Sequence, residues 1–455
     1  MMKKLFTTLL LLVSISISCV CVCKADLIYP PSNASHPYVY LNDEFIAGLK
    51  DENGNVKEHY AASFNYLKSI ANSALPAQPS GGYLSSSISN QLMARALMYA
   101  LGEFDEAHAK ATVEYTLEYL KNPLTKQTYS INVYKDYGTN GIQTGALVYD
   151  WCYDVMTAEQ RTNLAQYVYN IMYKQNGSTY IQPCRPNNIA TGWSDIAGKS
   201  VGQPLVYNSI AAVALYDSSF GSEWYEAMMG KIQGTMADAI KAYGTKGALT
   251  DGAISYTRDH YTYYVYVLLD RLGATDEQLS ELYGNQTPIG YKMLYSRLPY
   301  GATLKQGDAY DLRNYVFGEY INGTETTDMG MLANMFNDGY LRYQYLKENS
   351  GASSVLAFLC IDTDVEPKEP YDLPLAYETY APRSEIMART SWQDGINSPA
   401  VSVSMNMNER RSGDHDHADI GSFQLYYKGP LTIPGGIYSG EDWGGPHWRN
   451  YFTRT

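Results

Sequence analysis

Asp362-Thr363-Asp364-Val365-Glu366-Pro367-Lys368-Glu369-Pro370-Tyr371-Asp372-Leu373-Pro374 divides the chain. Three prolines in thirteen residues rule out a helix here. Proline lacks the amide proton a helix needs and pushes the residue before it toward extended backbone. On either side of this stretch the hydrophobic pattern has a different period, which predicts a multidomain α+β chain, helical first and β second.

Upstream, apolar residues recur at three- and four-residue spacing over 89–101, 106–121, 141–154, 158–173, 204–216, 222–243, 260–272 and 328–347. Thr157 followed by Gln160, and Thr275 followed by Gln278, are capping-box starts, in which the hydroxyl takes one orphan amide and the glutamine another. Helices in hairpin succession with no strand signal between them predict an all-helical toroid, with a helical-repeat solenoid as the alternative.

Downstream, 385–392, 400–407 and 421–427 alternate in the strand manner, and glycine-rich turns follow at 434–436 and 440–445. These strands begin a β domain but are too few to close a stable sheet alone. The expected division is a signal peptide over 1–25, a helical domain over 26–361, a linker over 362–383 and the N-terminal part of a β domain over 384–455.

Met1-Met2-Lys3-Lys4, the apolar run 5–17 and the small residues after it have the pattern of a secretory signal, cleaved after Ala25. The run is short for a membrane span, and no later segment reads as one. The protein is therefore expected to be exported, to the periplasm or to the cell surface and beyond. Removing 1–25 takes Lys3, Lys4 and Lys24 and no acid, so the formal charge falls from −13 by three to −16. Such a balance argues against nucleic acid or an anionic membrane as partner, and a polyanionic substrate would need a local basic cleft. The cysteines left are Cys152, Cys184 and Cys360, too few and too widely spaced for a disulfide framework or a zinc finger.

Tyrosine is over-used, 44 against 10 Phe and 6 Trp. A phenol offers an apolar face and a polar tip, which suits sugar rings, although most such residues simply fill helix interfaces. His415-Asp416-His417-Ala418-Asp419 precedes a strand-like run, and in extended backbone His415, His417 and Asp419 would share one face.

Three blocks carry a resemblance: Gly145-Ala146-Leu147-Val148-Tyr149-Asp150-Trp151-Cys152-Tyr153-Asp154; Asp251-Gly252-Ala253-Ile254-Ser255-Tyr256 leading to 268–274; and 415–438. They resemble the heparinase II/III family of polysaccharide lyases, and heparinase II most closely within it. The resemblance implies an incomplete (α/α) toroid followed by the start of an antiparallel β-sandwich. It also implies that the family's β-structure, with a further histidine and asparagine, continues beyond Thr455.

What the resemblance implies chemically is β-elimination from a uronate-containing, heparin- or heparan-sulfate-like acidic polysaccharide. The C5 proton is weakly acidic, so such an enzyme must neutralise the uronate carboxylate, supply a base at C5 and supply an acid at the leaving O4. Tyr256 matches the family's catalytic tyrosine, with Arg258 as the nearest cation and Tyr261 as a rival because the following helix is shorter here. Positive neighbours would have to lower the phenol from its ordinary value of about 10. His415 matches the catalytic histidine. Lys199 stands where the family commonly has a neutralising histidine, with Asn188, Trp193 and Gln203 as nearby alternatives. Tyr438 and Trp443 match aromatics that face the sugar, and Arg410 and Arg411 offer a basic patch.

His417 matches a structural Zn²⁺ ligand, but Pro434 stands where an aspartate ligand belongs, and proline cannot ligate; Asp419 is the substitute on the same face. Two other classes stay open. A glycoside hydrolase would need two opposed carboxylates, for which Asp195, Asp251 and Asp259 are near the right loops without a marking motif. A glycan-binding protein with a decayed site is the other, suggested by Lys199 and Pro434. The sequence leaves the oligomeric state open, a homodimer included.

Overall fold

The computed structural model describes residues 28–30, 35–77, 84–121, 139–173, 175–176, 179–180, 202–233, 237–248, 260–299, 301–304, 323–348, 354–361, 364–380, 384–407 and 420–432. The first helices are α1 (Asp43–Leu49), α2 (Glu58–Asn72), α3 (Ser86–Ala100), α4 (Glu106–Leu120), α5 (Thr139–Trp151) and α6 (Ala158–Tyr173). A small hairpin of β1 (Gln175–Asn176) and β2 (Thr179–Tyr180) follows, which the sequence pattern did not signal. Then come α7 (Gly202–Ala214), α8 (Gly221–Lys231), α9 (Ala237–Gly244), α10 (His260–Arg271), α11 (Asp276–Tyr283), α12 (Thr287–Tyr295), α13 (Gly323–Phe336), α14 (Gly339–Glu348) and α15 (Val355–Cys360).

Side chains set many of the starts. Asn42, Ser85, Asp105 and Ser354 each accept an amide of the first turn, at α1, α3, α4 and α15. Thr157 and Gln160 exchange bonds reciprocally ahead of α6, and Thr275 and Gln278 do the same at α11, as their spacing predicts. The 222–243 pattern is carried by α8 and α9, and residues 234–236 lie outside the described residues. The 328–347 pattern breaks at Asn337, whose φ is 52°, and Asp338 then accepts the Tyr340 and Leu341 amides to start α14.

The helices form a row in which α3, α5, α7, α10 and α13 each pack against the next. Residues 140–152 of α5 and its end are buried without interruption, whereas α4 and α6, which flank α5, expose one side. The six-residue α15 is entirely buried and touches α2, α3, α10 and α13, so it joins the first helix of the row to the last. The close approach of α5 to its two flanking helices has a glycine behind it. A side chain at Gly145 of α5 would run into Val168 of α6 and Leu120 of α4.

The interval 362–383 holds a 3-10 turn (Pro370–Asp372) and the strand β3 (Ala376–Glu378). With β4 (Glu385–Arg389), β5 (Ser402–Asn406), β6 (Phe423–Tyr426) and β7 (Pro430–Thr432) it makes an antiparallel sheet in sequence order. The expected strands are found, each shorter than its pattern. β4 lies against α12 and the residues after it: Ser296 donates to Met387 Sδ, and Arg389 donates to the Arg297 carbonyl. Tyr295 stacks on Tyr377, edge-on to Trp392.

The sheet's two faces are the reverse of a simple amphipathic strand. Glu385, Met387, Arg389, Ser402, Ser404, Gln424 and Tyr426 are buried, while the cross-strand row Ile386, Met405 and Phe423 is 37%, 41% and 53% exposed. The helix-facing side is polar because it meets a set of buried charges. Arg297 pairs with both Glu325 and Glu348, and Lys292 pairs with Glu385.

Candidate functional site

Most of the residues expected to carry chemistry fall outside the described residues. Asn188, Trp193, Asp195 and Lys199 lie in 181–201; Asp251, Tyr256, Arg258 and Asp259 in 249–259; Arg410, Arg411, His415, His417 and Asp419 in 408–419; and Pro434, Tyr438 and Trp443 in 433–455. The backbones of Gln203 and Tyr261 are described, each as the second residue of its helix, α7 and α10. Those two helices pack against one another.

The segments themselves are flanked in the sequence by described elements. The Lys199 segment precedes α7 and the Tyr256 segment precedes α10. β5 and β6 pair side by side, Met405 opposite Phe423. The Asn406 amide donates to the Ser422 carbonyl and the Gly421 amide to the Asn406 carbonyl, at 2.9 and 2.8 Å. The residues that flank the His415 segment in sequence, Asn406 and Ser422, are thus bonded to one another. Gly421 turns the chain back with φ 86°, a conformation that costs glycine little.

No group of three or more His, Cys, Asp or Glu among the described residues is arranged to hold a metal. The zinc expectation rests on His417, with Asp419 and Pro434, all outside those residues.

One titratable cluster among the described residues was not singled out from the sequence. His36 Nδ1 lies 2.5 Å from Oδ1 of Asp150, and Nε2 lies 3.3 Å from Oδ2 of Asp217, close enough for an ion pair but not aligned as a hydrogen bond. The imidazole stacks on Tyr153 with ring centroids 4.0 Å apart. Asp150, on α5, also accepts the Tyr38 and Val39 amides. Asp217, in the turn after α7, accepts the hydroxyls of Tyr149 and Tyr153 at 3.1 and 2.9 Å.

Burial works against the charged imidazole, but the bond to Asp150 and the nearness of Asp217 outweigh it and raise His36 to about 9. Partial burial would raise Asp217, and its contacts with His36, Tyr153 and Tyr149 hold it below the usual carboxylate range instead. The only sequence signal for this cluster was Asp150 within the Gly145–Asp154 block. His36 and Asp217 are 181 positions apart, so no local pattern joins them.

No protein-family model matches the chain, and no curated protein matches it. Solved structures do. Over 92% of its length the chain is similar to a heparinase III structure, at 13% identity and a TM-score of 0.46, covering 62% of that chain. Over 93% it is similar to a heparan sulfate lyase from Pedobacter heparinus, at 14% identity and a TM-score of 0.46, again covering 62%. The chain thus spans about three fifths of the length of these structures. The sequence resemblance pointed to heparinase II, whereas these structures are of the heparinase III and heparan sulfate lyase kind. Among the described residues no helix is long and apolar enough to cross a membrane.

Proposed function

We propose that this chain belongs to an exported polysaccharide lyase that cleaves a uronate-containing, glycosaminoglycan-like polysaccharide by β-elimination, its helical part forming an incomplete toroid. One observation carries the reading. The segments holding Lys199 and Tyr256 precede α7 and α10 in the sequence, and those two helices pack side by side. Bracketing of the His415 segment by β5 and β6, and the contacts of α15 with both ends of the helix row, are consistent with it.

In this reading Lys199 pairs with the uronate carboxylate, which makes the C5 proton more acidic. Tyr256, assisted by His415, removes that proton; the C5–H electrons form the C4–C5 double bond, the C4–O4 bond breaks, and O4 leaves with a proton from the same phenol or its partner. Neither a metal nor a redox group enters the sequence of steps. Incubation with uronate polysaccharides tests it through the ultraviolet absorbance of the unsaturated product. New reducing ends without that absorbance would mark a hydrolase, and binding without either would mark a non-catalytic glycan receptor.

A further inference from the structure

A neutral imidazole has one N–H and one lone pair. His36 presents a nitrogen to a carboxylate on each side, Asp150 at 2.5 Å and Asp217 at 3.3 Å, so only the doubly protonated ring suits both. Losing one proton would leave a lone pair aimed at an anion. The more exposed carboxylate is the one able to leave, since the Asp217 side chain is 38% exposed and Asp150 fully buried.

What this ring joins is specific. Residues 36–41 form a strap on the helices: Tyr38 and Val39 donate amides to Asp150, Trp151 donates to the Val39 carbonyl, and the Tyr40 hydroxyl donates to the Tyr264 carbonyl. On the other side Asp217 belongs to the turn 215–220 that links α7 to α8. We propose that His36 is a charged latch between this strap and that turn, and that its deprotonation loosens the turn, left to the Tyr149 and Tyr153 hydroxyls on Asp217, while the strap stays anchored on Asp150.

The groups facing the ring agree with this assignment. Asp150 and Tyr149 come from α5, Tyr153 from the 3-10 turn after it, Asp217 from the far turn and Tyr38 from the strap itself. The Arg161 guanidinium of α6 lies over Tyr153, 4.5 Å from its ring centre. Burial pushes Tyr38 and Tyr149 far above their ordinary value and raises Tyr153 too, so His36 is the first of these groups to titrate on the alkaline side. Because its folded value is raised from 6.5 to about 9, the stabilisation is complete below 6.5 and disappears as pH rises through about 9.

The test follows the His36 ring by NMR on histidine-labelled protein while hydrogen exchange is read at 215–220 from about pH 6 to about pH 10, corrected for intrinsic rates. The latch requires a ring midpoint near 9 and protection at 215–220 that falls by up to about tenfold per pH unit on the way from 6.5 toward that midpoint and levels off above it, with the Val39 amide still protected. Asp217→Asn should lower the midpoint and leave 215–220 weakly protected at every pH. His36→Gln should remove the pH dependence. A midpoint at or below 6.5, or unchanged protection of 215–220 through the alkaline range, would overturn the proposal.

Discussion

Lys292 Nζ of α12 lies 3.0 Å from Glu385 Oε2 of β4, with both side chains almost wholly buried where the helices meet the sheet. Removing one partner of a buried pair costs more than replacing both, because a charge is left in a poorly solvating place. Lys292→Met should therefore cost about 3–5 kcal/mol in urea unfolding, and Lys292→Met combined with Glu385→Leu should recover most of it. A single variant as stable as wild type would show that this junction does not depend on the pair.

Two helical glycines should respond to alanine with opposite sign. Gly145→Ala drives a methyl into Val168 and Leu120, an overpacking cost of about 1–3 kcal/mol that outweighs a propensity gain of about 1 kcal/mol. Gly230→Ala on α8 meets nothing within 4 Å and should stabilise by about 0.5–1 kcal/mol. Thermal unfolding of the two variants beside wild type checks both signs at once.

Cys152 and Cys360 are free thiols in the core. Burial pushes both up, Cys360 to about 12 and Cys152 further, so neither supplies thiolate at neutral pH. With residues 1–25 removed and Cys184→Ser in place, a thiol reagent should label the chain only as fast as it unfolds. Rapid stoichiometric labelling under native conditions would contradict this burial.

Catalysis should separate the two candidate phenols. If Tyr256 is the acid–base group, Tyr256→Phe lowers kcat by about 10²–10⁴ while leaving KM nearly unchanged, and Tyr261→Phe has a small effect. The reverse ranking moves the role to the first turn of α10. His415→Ala should fall with whichever tyrosine matters, and Lys199→Met should act mainly through the uronate carboxylate, with neutral methyl-ester substrates losing less than acidic ones.

Much of the helical part was legible because its signals are local. The Thr157/Gln160 and Thr275/Gln278 pairs start helices as read, and 158–173 is a helix from end to end. Asn337-Asp338-Gly339 is a turn signal that the apolar period ran over, since Leu332, Phe336, Tyr340 and Tyr343 keep three- and four-residue spacing across the break. α1 and α15 escaped notice because seven or six residues carry too little periodicity, and their caps, Asn42 and Ser354, were the only signal. At the site the sequence supplied residue types and a resemblance, whereas His36 and Asp217 meet only through the packing of α5 and α7.

The inverted sheet has one more consequence. Its buried side carries Glu385 and Arg389, which are answered by Lys292 and the Arg297 carbonyl on the helical side, while Ile386, Met405 and Phe423 meet water. Excised from the helices, residues 376–432 would trade bonded charges for hydrated ones and keep an oily outer surface, so the fragment should precipitate instead of folding. These strands are not a portable module; they borrow their solubility and their order from the helices they lean on.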